Sequence, residues 1–165
     1  MAKPVEGHLV SLRLRKVVSG GQTGADRGAL DVALERGLEI GGWVPRGRSA
    51  DDGVIPPRYT GMRETESADP AVRTTCNVRD ADATLIVSHG PLAGGSRFTA
   101  DETARLSKPL LHLDLATLAL AAAAEQLRQW LRATDPEVLN VAGPRASEDP
   151  GIGAAVTALL RAAMR

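Results

Sequence analysis

Two kinds of hydrophobic pattern alternate along the chain. In the first kind the apolar residues are consecutive, as in Ala83–Val87, which lies between Asp82 and Ser88. An unbroken apolar run of this length is typical of a parallel strand that is covered on both faces. In the second kind the apolar residues recur at helical spacing, as they do in the segment 24–36 at Ala29, Leu30, Ala33 and Leu34. The chain is therefore expected to alternate between buried strands and helices with one apolar face.

The order of these patterns predicts an α/β fold. We expect strands at about 16–19, 38–43, 83–87, 108–113 and 137–142. We expect helices at about 24–36, 71–79, 96 or 99 to 106, 117–132 and 151–164. This alternation indicates a Rossmann-like, doubly wound and mostly parallel sheet with helices on both faces. Residues 1–15 are expected to form an N-terminal arm, and residues 16–165 a single domain.

The segment 44–80 is different in composition, because it is rich in Pro, Gly, Arg and Asp. A long loop within a small domain is usually functional or disordered. Apolar and aromatic spacers favour an ordered loop, and they are Val54, Ile55, Tyr59 and Met62. Arg46 and Arg48 either lie over a ligand site or are simply solvated.

Three polar, glycine-rich turns follow predicted strands, at 20–26, 89–97 and 143–145. Because parallel strands end at one edge of a sheet, we expect the three turns to meet there and to form a ligand crevice.

The first of these turns, in the stretch Ser19–Arg27, joins a strand to a helix. Glycines let the backbone lie close to a ligand, and successive N–H groups beside a helix start favour an anion. We therefore predict that the N–H groups of this turn bind a phosphate or oxyanion, with the Thr23 hydroxyl and the Arg27 guanidinium as further donors. The predicted binding residues are Gly20, Gly21, Gln22, Thr23, Gly24, Asp26 and Arg27.

Each of these assignments has an alternative that needs no ligand. The turn as a whole can be a tight connection between strand and helix. Arg27 can form a surface ion pair with Asp31 one helical turn away. Asp26 either accepts from N–H groups of a heterocycle or stabilises the helix start through the dipole.

The second and third turns supply further binding candidates. Gly94, Gly95, Ser96 and Arg97 are predicted to form a second anion-binding turn, against the alternative of a plain loop. His89 is a candidate ligand contact or proton shuttle, and Arg145 a candidate ligand contact.

Two further side chains have simpler interpretations. Thr99 and Glu102 match a capping box, which we favour over Glu102 as a general acid or base. Cys76 is expected to be a small packed residue. No residue is predicted to be catalytic, and none to bind a metal directly.

Composition excludes several classes of protein. The 20 basic and 20 acidic residues balance, whereas a nucleic-acid-binding protein usually has a basic excess. One cysteine cannot form an internal disulfide. The longest apolar run, Leu115–Ala124, is too short to span a bilayer, and residues 1–15 lack a signal-peptide pattern. We expect a cytoplasmic protein that binds neither nucleic acid nor membrane.

The first turn is not a standard nucleotide-binding motif. Ser19 stands where the G-x-G-x-x-G pattern begins with glycine, and the P-loop lysine is absent. A classical NAD dehydrogenase and a P-loop NTPase are therefore disfavoured.

Five blocks in fixed order, spread over about residues 16–164, carry a family resemblance: Ser19–Arg27, Gly41–Arg48, Asn77–Asp80, Gly94–Ser96 and Leu139–Arg145. Together they resemble the molybdenum carrier (molybdenum cofactor carrier) proteins. The resemblance implies a Rossmann-like homo-oligomer, a tetramer or dimer. It implies that the protein binds and protects molybdenum cofactor, a phosphorylated pterin, as cargo. Molybdoenzymes or cofactor-biosynthesis proteins are the partners it implies.

The family is similar in fold to the lysine-decarboxylase-like phosphoribohydrolases, which release a base from nucleoside monophosphates. Their turn reads Pro-Gly-Gly-x-Gly-Thr-x-x-Glu, whereas here Thr99 and Glu102 lie one residue too far along and the middle glycine is replaced. A binding protein is therefore favoured over such a nucleotide-processing hydrolase. A sensor of a nucleotide derivative is a third interpretation.

Overall fold

Strands and helices alternate through the computed structural model, which describes residues 12–164. The strands are β1 Lys16–Val18, β2 Glu39–Val44, β3 Ser49–Ala50, β4 Gly53–Val54, β5 Met62–Glu64, β6 Ala83–Ser88, β7 Leu110–Asp114 and β8 Val138–Ala142. The helices are α1 Ala25–Glu35, α2 Pro70–Asp80, α3 Gly94–Arg105, α4 Leu120–Thr134 and α5 Ile152–Ala163.

Six strands form one sheet in the order β5-β2-β1-β8-β6-β7, and all the neighbouring pairs are parallel. Residues Val17 and Val18 of β1 therefore lie between Ile40 and Gly41 on β2 and Leu139 and Asn140 on β8. The strands β1, β8 and β6 are neighbours, so the segments that leave their carboxyl ends start side by side.

Helices cover both faces of the sheet. Helix α5 packs between α1 and α4 on one face, while α2 packs against α3 on the other. All residues of β6 are buried because this central strand is covered on both faces. The aliphatic core lies mainly under α1, α4 and α5, where Leu30, Leu127 and Leu159 are fully buried.

The predicted Rossmann-like α/β class is confirmed, and each predicted strand and helix corresponds to an element. Three short strands were missed. The segment 44–80 contains the hairpin β3–β4 and the edge strand β5, which pairs with β2. Strands of two or three residues, mostly exposed, show no hydrophobic periodicity.

The predicted N-terminal arm overlaps the described chain only at its end, since residues 1–11 lie outside the described residues. Arg13 is held to the segment before β8 by ion pairs with Asp135 and Glu137, at 3.0 and 3.3 Å. Within the described chain, no helix is both long enough and apolar enough to cross a bilayer.

Candidate functional site

A cavity of about 310 Å³ lies at the carboxyl edge of the sheet. We call it the crevice. The loop after β1 and the start of α1 supply Gln22 and Asp26, and the loop after β8 supplies Gly143, Arg145 and Glu148. Its volume is within the range of sites for small molecules. The structure thus brings together parts of the first and third predicted turns.

Two helix N-termini complete the wall of the crevice. Helix α3 supplies Gly95, Ser96 and Thr99 from its first turns, and the start of α2 supplies Asp69, Pro70 and Arg73. Both helices therefore begin at the crevice, and helix N-termini favour negative charge.

The backbone of the first turn is not free to hold an anion as predicted. The Gly21 N–H donates to Ser19 Oγ (3.2 Å), the Gln22 N–H to an Asp26 carboxylate oxygen (3.1 Å) and the Thr23 N–H to Gln22 Oε1 (2.9 Å). These three N–H groups, which were predicted to bind a phosphate, therefore already have acceptors within the turn. The turn already holds a carboxylate of its own, that of Asp26, where the phosphate was expected.

Arg27 does not face the crevice either. Its Nε donates to the Gly21 carbonyl (3.0 Å), and its two terminal nitrogens donate to both carboxylate oxygens of Asp52, one of them at 2.7 Å. The alternative pair with Asp31 is not formed, and Arg27 is not part of the crevice lining, where it was predicted to contact a ligand. Arg27 instead fastens the first turn to the hairpin β3–β4, and this pair keeps the pKa of the Asp52 carboxyl below its ordinary value.

Thr23 and Gly24 hold the first turn against the third. Thr23 Oγ1 accepts from the Ala146 N–H (3.2 Å), so this hydroxyl faces the third turn rather than a ligand. At Gly24, which has φ 87°, a Cβ would lie 2.6 Å from the Pro144 carbonyl oxygen. The two residues therefore hold the first turn in position, and neither of them lines the crevice, where they were predicted to contact a ligand.

Asp26 and Arg73 form the floor of the crevice. They also line a second, smaller cavity of about 10 Å³, together with Gly20, Asn77 and Asn140, and we call the part of the crevice where Asp26 and Arg73 lie its floor. Asp26 is 6% exposed, and this burial raises its pKa to about 6, although the Arg73 charge and the N–H groups of Gln22 and Gly20 oppose the shift. The Arg73 Nη1 donates to Thr74 Oγ1 (2.6 Å), while its Nε is buried without a partner in the described chain.

The predicted second turn is the first turn of a helix. Gly94, Gly95, Ser96 and Arg97 belong to α3, whose N-cap is Ala93, without a side-chain cap. The first hydrogen bond within this helix runs from the Arg97 N–H to the Ala93 carbonyl (3.3 Å). The three preceding N–H groups have no intrahelical acceptor, as at every helix start. The start of α3 therefore presents N–H groups without an acceptor inside the helix, whereas the N–H groups of the first turn have acceptors of their own.

Some candidates on these segments lie away from the crevice. Arg97 is exposed and pairs with Asp101 (3.2 Å), and Gly94 is not part of the lining. His89 is exposed, and its Nδ1 lies 2.6 Å from an Asp149 carboxylate oxygen. The predictions that Gly94, Arg97 and His89 contact the ligand are therefore not supported by their positions.

Arg145 lines the crevice while it is partly neutralised. Its guanidinium pairs with Asp51 (3.1 Å) and Glu148 (3.0 Å), and half of its side chain is exposed. Asp51 belongs to the hairpin region, and its N–H donates to Gln22 Oε1 (2.9 Å). The Arg145 charge is thus held at the mouth of the crevice by a network that reaches the first turn.

The capping box predicted from Thr99 and Glu102 is absent. Both residues lie inside α3, where the Thr99 hydroxyl donates to the Gly95 carbonyl (2.9 Å). Glu102 accepts from the Thr75 hydroxyl (2.9 Å) and the Arg105 guanidinium (2.7 Å), and the latter holds the pKa of Glu102 below its ordinary value. Glu102 lies outside the lining of the crevice.

Three other side chains considered from the sequence lie outside the lining of the crevice. One terminal nitrogen of Arg48 donates to three carbonyls of its own loop, those of Ile55, Pro56 and Tyr59, and Arg46 is exposed. Cys76 is half-buried on α2. Over residues 12–164, no cluster of three or more His, Cys, Asp and Glu residues could hold a metal ion.

Arg73 is the main site residue that the sequence did not reveal. The pair Asp69-Pro70 is a typical helix start, and the Asp69 carboxylate does cap α2 by accepting from the Ala71 N–H (2.9 Å). It agrees with the helix predicted at about 71–79, which already contained Arg73. Nothing in the sequence says that this helix begins at the crevice, because β5 and its loop bring it there.

Comparisons with known proteins agree with this fold. The model of the circularly permutated YpsA SLOG family matches residues 17–164. The crystal structure of a protein described as "Putative molybdenum carrier protein", from Syntrophus aciditrophicus SB at 1.45 Å resolution, is 44% identical and superposes with a TM-score of 0.90. The match covers 93% of this chain and 96% of that one. No protein with a curated description matches. The resemblance to molybdenum carrier proteins is thereby confirmed.

Proposed function

The chain belongs to the circularly permutated YpsA SLOG family, and from this premise we propose that its crevice binds a small phosphorylated ligand. The relative that is 44% identical bears the name of a molybdenum carrier protein. We therefore infer that the cargo is molybdenum cofactor or a related phosphorylated pterin or nucleotide, and that the chain binds it without transforming it.

The observation that carries this proposal is the uncapped start of α3. Ala93 offers no side-chain acceptor to the N–H groups of Gly94, Gly95 and Ser96, and the last two residues line the crevice. A phosphate there would accept from these N–H groups and gain from the helix dipole. The Arg145 guanidinium at the mouth of the same cavity supplies a charge-assisted donor.

The positions of the acidic side chains favour binding over hydrolysis. Glu102 is occupied by Thr75 and Arg105, outside the lining. Asp26 does line the crevice, but it is held by the N–H groups of the first turn. The other two carboxylates of the lining are engaged as well, because Asp69 caps α2 and Glu148 pairs with Arg145.

The proposal is tested on protein purified from cells that synthesise molybdenum cofactor. The protein is denatured under oxidising conditions, and the released small molecules are identified by mass spectrometry. We expect oxidised pterin in an amount comparable with the protein. In parallel, a pterin phosphate and its dephosphorylated form are titrated into ligand-free protein. Loss of the phosphate is expected to weaken binding about 10- to 100-fold, which corresponds to one or two charge-assisted hydrogen bonds.

Two results would contradict the proposal. The first is equal affinity for the phosphorylated and dephosphorylated forms, which would remove the anion site at α3. The second is release of free base from nucleoside monophosphates at a rate that depends on the protein, which would make it a hydrolase. The variant Glu102→Gln serves as a control, since this side chain lies outside the crevice and its loss should leave binding unchanged.

A further inference from the structure

We propose that Asp26 and Arg73 form a subsite at the floor of the crevice that recognises the 2-amino-4-oxo edge of a fused pyrimidinone, the edge that guanine and pterins share. This inference rests on the proposed function and deepens it, because it names the chemical class of the group attached to the phosphate. It concerns two residues that line both the crevice and the smaller cavity, whereas Gly95 and Ser96 of the anion site line the crevice alone.

Asp26 presents acceptor capacity that the protein does not use. A carboxylate offers about four acceptor positions, and the N–H groups of Gln22 and Gly20 occupy two of them. The side chain is 6% exposed yet lines the crevice, so water reaches it poorly. Burial raises its pKa to about 6, which means that the ionised form is penalised even though the Arg73 charge and the Gln22 N–H lower that penalty. A ligand that brings N–H groups to this carboxylate would remove part of that penalty.

Arg73 lines the crevice together with Asp26 and has a hydrogen-bond donor that lacks an acceptor among the described residues. Its Nε–H is buried without an acceptor in the described chain, and an unmade hydrogen bond of a buried charged group costs free energy. The small cavity next to it has a volume of about 10 Å³, which is room for one oxygen-sized atom. Its walls are polar, with Asn77, Thr99 and Asn140. A carbonyl oxygen of a ligand that enters this space would meet the guanidinium.

Asp26 is an acceptor and Arg73 is a donor, so together they favour a ligand edge that carries donors next to an acceptor. The ring N–H and the exocyclic amine of a 2-amino-4-oxo-pyrimidine both donate and would face Asp26, while the neighbouring carbonyl accepts and would face Arg73. Adenine presents an unprotonated ring nitrogen in place of the ring N–H, and the carboxylate repels its lone pair. Hypoxanthine lacks the exocyclic amine. Xanthine places a carbonyl oxygen against the carboxylate.

The test measures equilibrium binding of GMP, IMP, AMP, XMP and guanosine to the full chain by titration calorimetry. The four nucleotides share the ribose phosphate, so differences among them report on the base edge. We expect GMP to bind about tenfold or more tightly than IMP, AMP and XMP, since each lost charge-assisted bond is worth about that factor. In Asp26→Asn, an amide donor faces the carbonyl of XMP, and the preference for GMP over XMP should reverse.

Asp101→Asn is the matched control. Asp101 is an exposed aspartate of α3 that lies outside the lining of the crevice, and its ion pair with Arg97 is exposed as well. It should keep the order of the four nucleotides. Equal affinities of the wild-type protein for GMP, IMP and AMP would overturn the subsite, a result that needs no variant. Failure of the proposed function gives a different pattern, namely GMP binding no more tightly than guanosine.

Discussion

Gly20 makes room for Arg73. A Cβ on Gly20 would lie 2.5 Å from Arg73 Nε, so the guanidinium occupies the space that any side chain at position 20 would need. The residue before the glycines of the first turn is Ser19, whose hydroxyl accepts from the Gly21 N–H (3.2 Å). The first turn therefore contributes to the site mainly because its backbone, with no side chain at position 20, leaves space for the Arg73 guanidinium from α2. Its N–H groups contribute only in part.

Gly20→Ala should weaken binding without unfolding the protein. The atoms that the new methyl group would meet belong to the end of a flexible side chain, so Arg73 can move aside. We expect the free energy of unfolding to change by less than about 1 kcal/mol. The affinity for GMP should fall about tenfold, because the guanidinium leaves the floor of the crevice. Calorimetric titration and urea unfolding measure the two effects, and an unchanged affinity would show that the position of Arg73 is not important for binding.

Gly28→Ala, in contrast to Gly20→Ala, should lower the stability of the protein and leave ligand binding unchanged. Its Cβ would lie 2.7 Å from the Gly153 carbonyl oxygen, at the contact between α1 and α5, and helix backbones cannot move aside as a side chain does. Overpacking of this kind typically costs about 1–3 kcal/mol. Urea unfolding should show a lower midpoint with the same slope.

The matched control for this change is Gly95→Ala. Gly95 also lies in a helix, but outside its own helix backbone and chain neighbours no atom of the described chain lies within 4 Å of the place that a Cβ would take, so alanine should stabilise the protein slightly through helix propensity. If both variants unfold at the same urea concentration, close packing at Gly28 does not limit stability.

The fold could be predicted from the sequence because its main elements are long and periodic. The unbroken apolar run of β6 and the stripes of α1, α4 and α5 carry the hydrophobic pattern over many residues. The strands β3, β4 and β5 are two or three residues long, and their pairing depends on the tertiary structure.

The crevice could be predicted only in part. Gln22, Asp26 and Arg145 follow strand ends, which topology places at one edge of the sheet. The use of the N–H groups in the first turn could not be seen, since it depends on where the Asp26 side chain turns. Arg73 could not be predicted as a site residue for a related reason, because the position of its helix depends on the long, mostly irregular segment that precedes it.

Ala93→Asp should compete with the phosphate. An aspartate at this N-cap would accept from the free N–H groups of α3 and stabilise the protein by about 0.5–2 kcal/mol. The same carboxylate would occupy the anion site, so the affinity for GMP should approach that for guanosine. Ala119→Asp is the matched control, since Ala119 is the uncapped N-cap of α4 and is not part of the crevice lining. Ala119→Asp should stabilise the protein without weakening the binding of GMP. If both variants lose affinity for GMP to a similar extent, the phosphate is not bound at the start of α3.

Asp26→Asn should change how stability depends on pH. The pKa of Asp26 is raised from its ordinary value of 3.8 to about 6, so between these values the folded chain binds more protons than the unfolded chain. The stability that this group contributes is present below pH 4 and is lost as the pH rises through 6. Two pKa units correspond to about 3 kcal/mol. Asparagine does not ionise, so the variant should match the wild type near pH 4 and exceed its free energy of unfolding by up to about 3 kcal/mol above pH 7. Urea unfolding across this range measures the difference, with Asp69→Asn as an exposed control. If the free energies of unfolding of the variant and the wild type differ by the same amount at every pH, ionisation of Asp26 carries no penalty in the folded protein. A ligand that donates hydrogen bonds to Asp26 would then gain nothing from removing such a penalty.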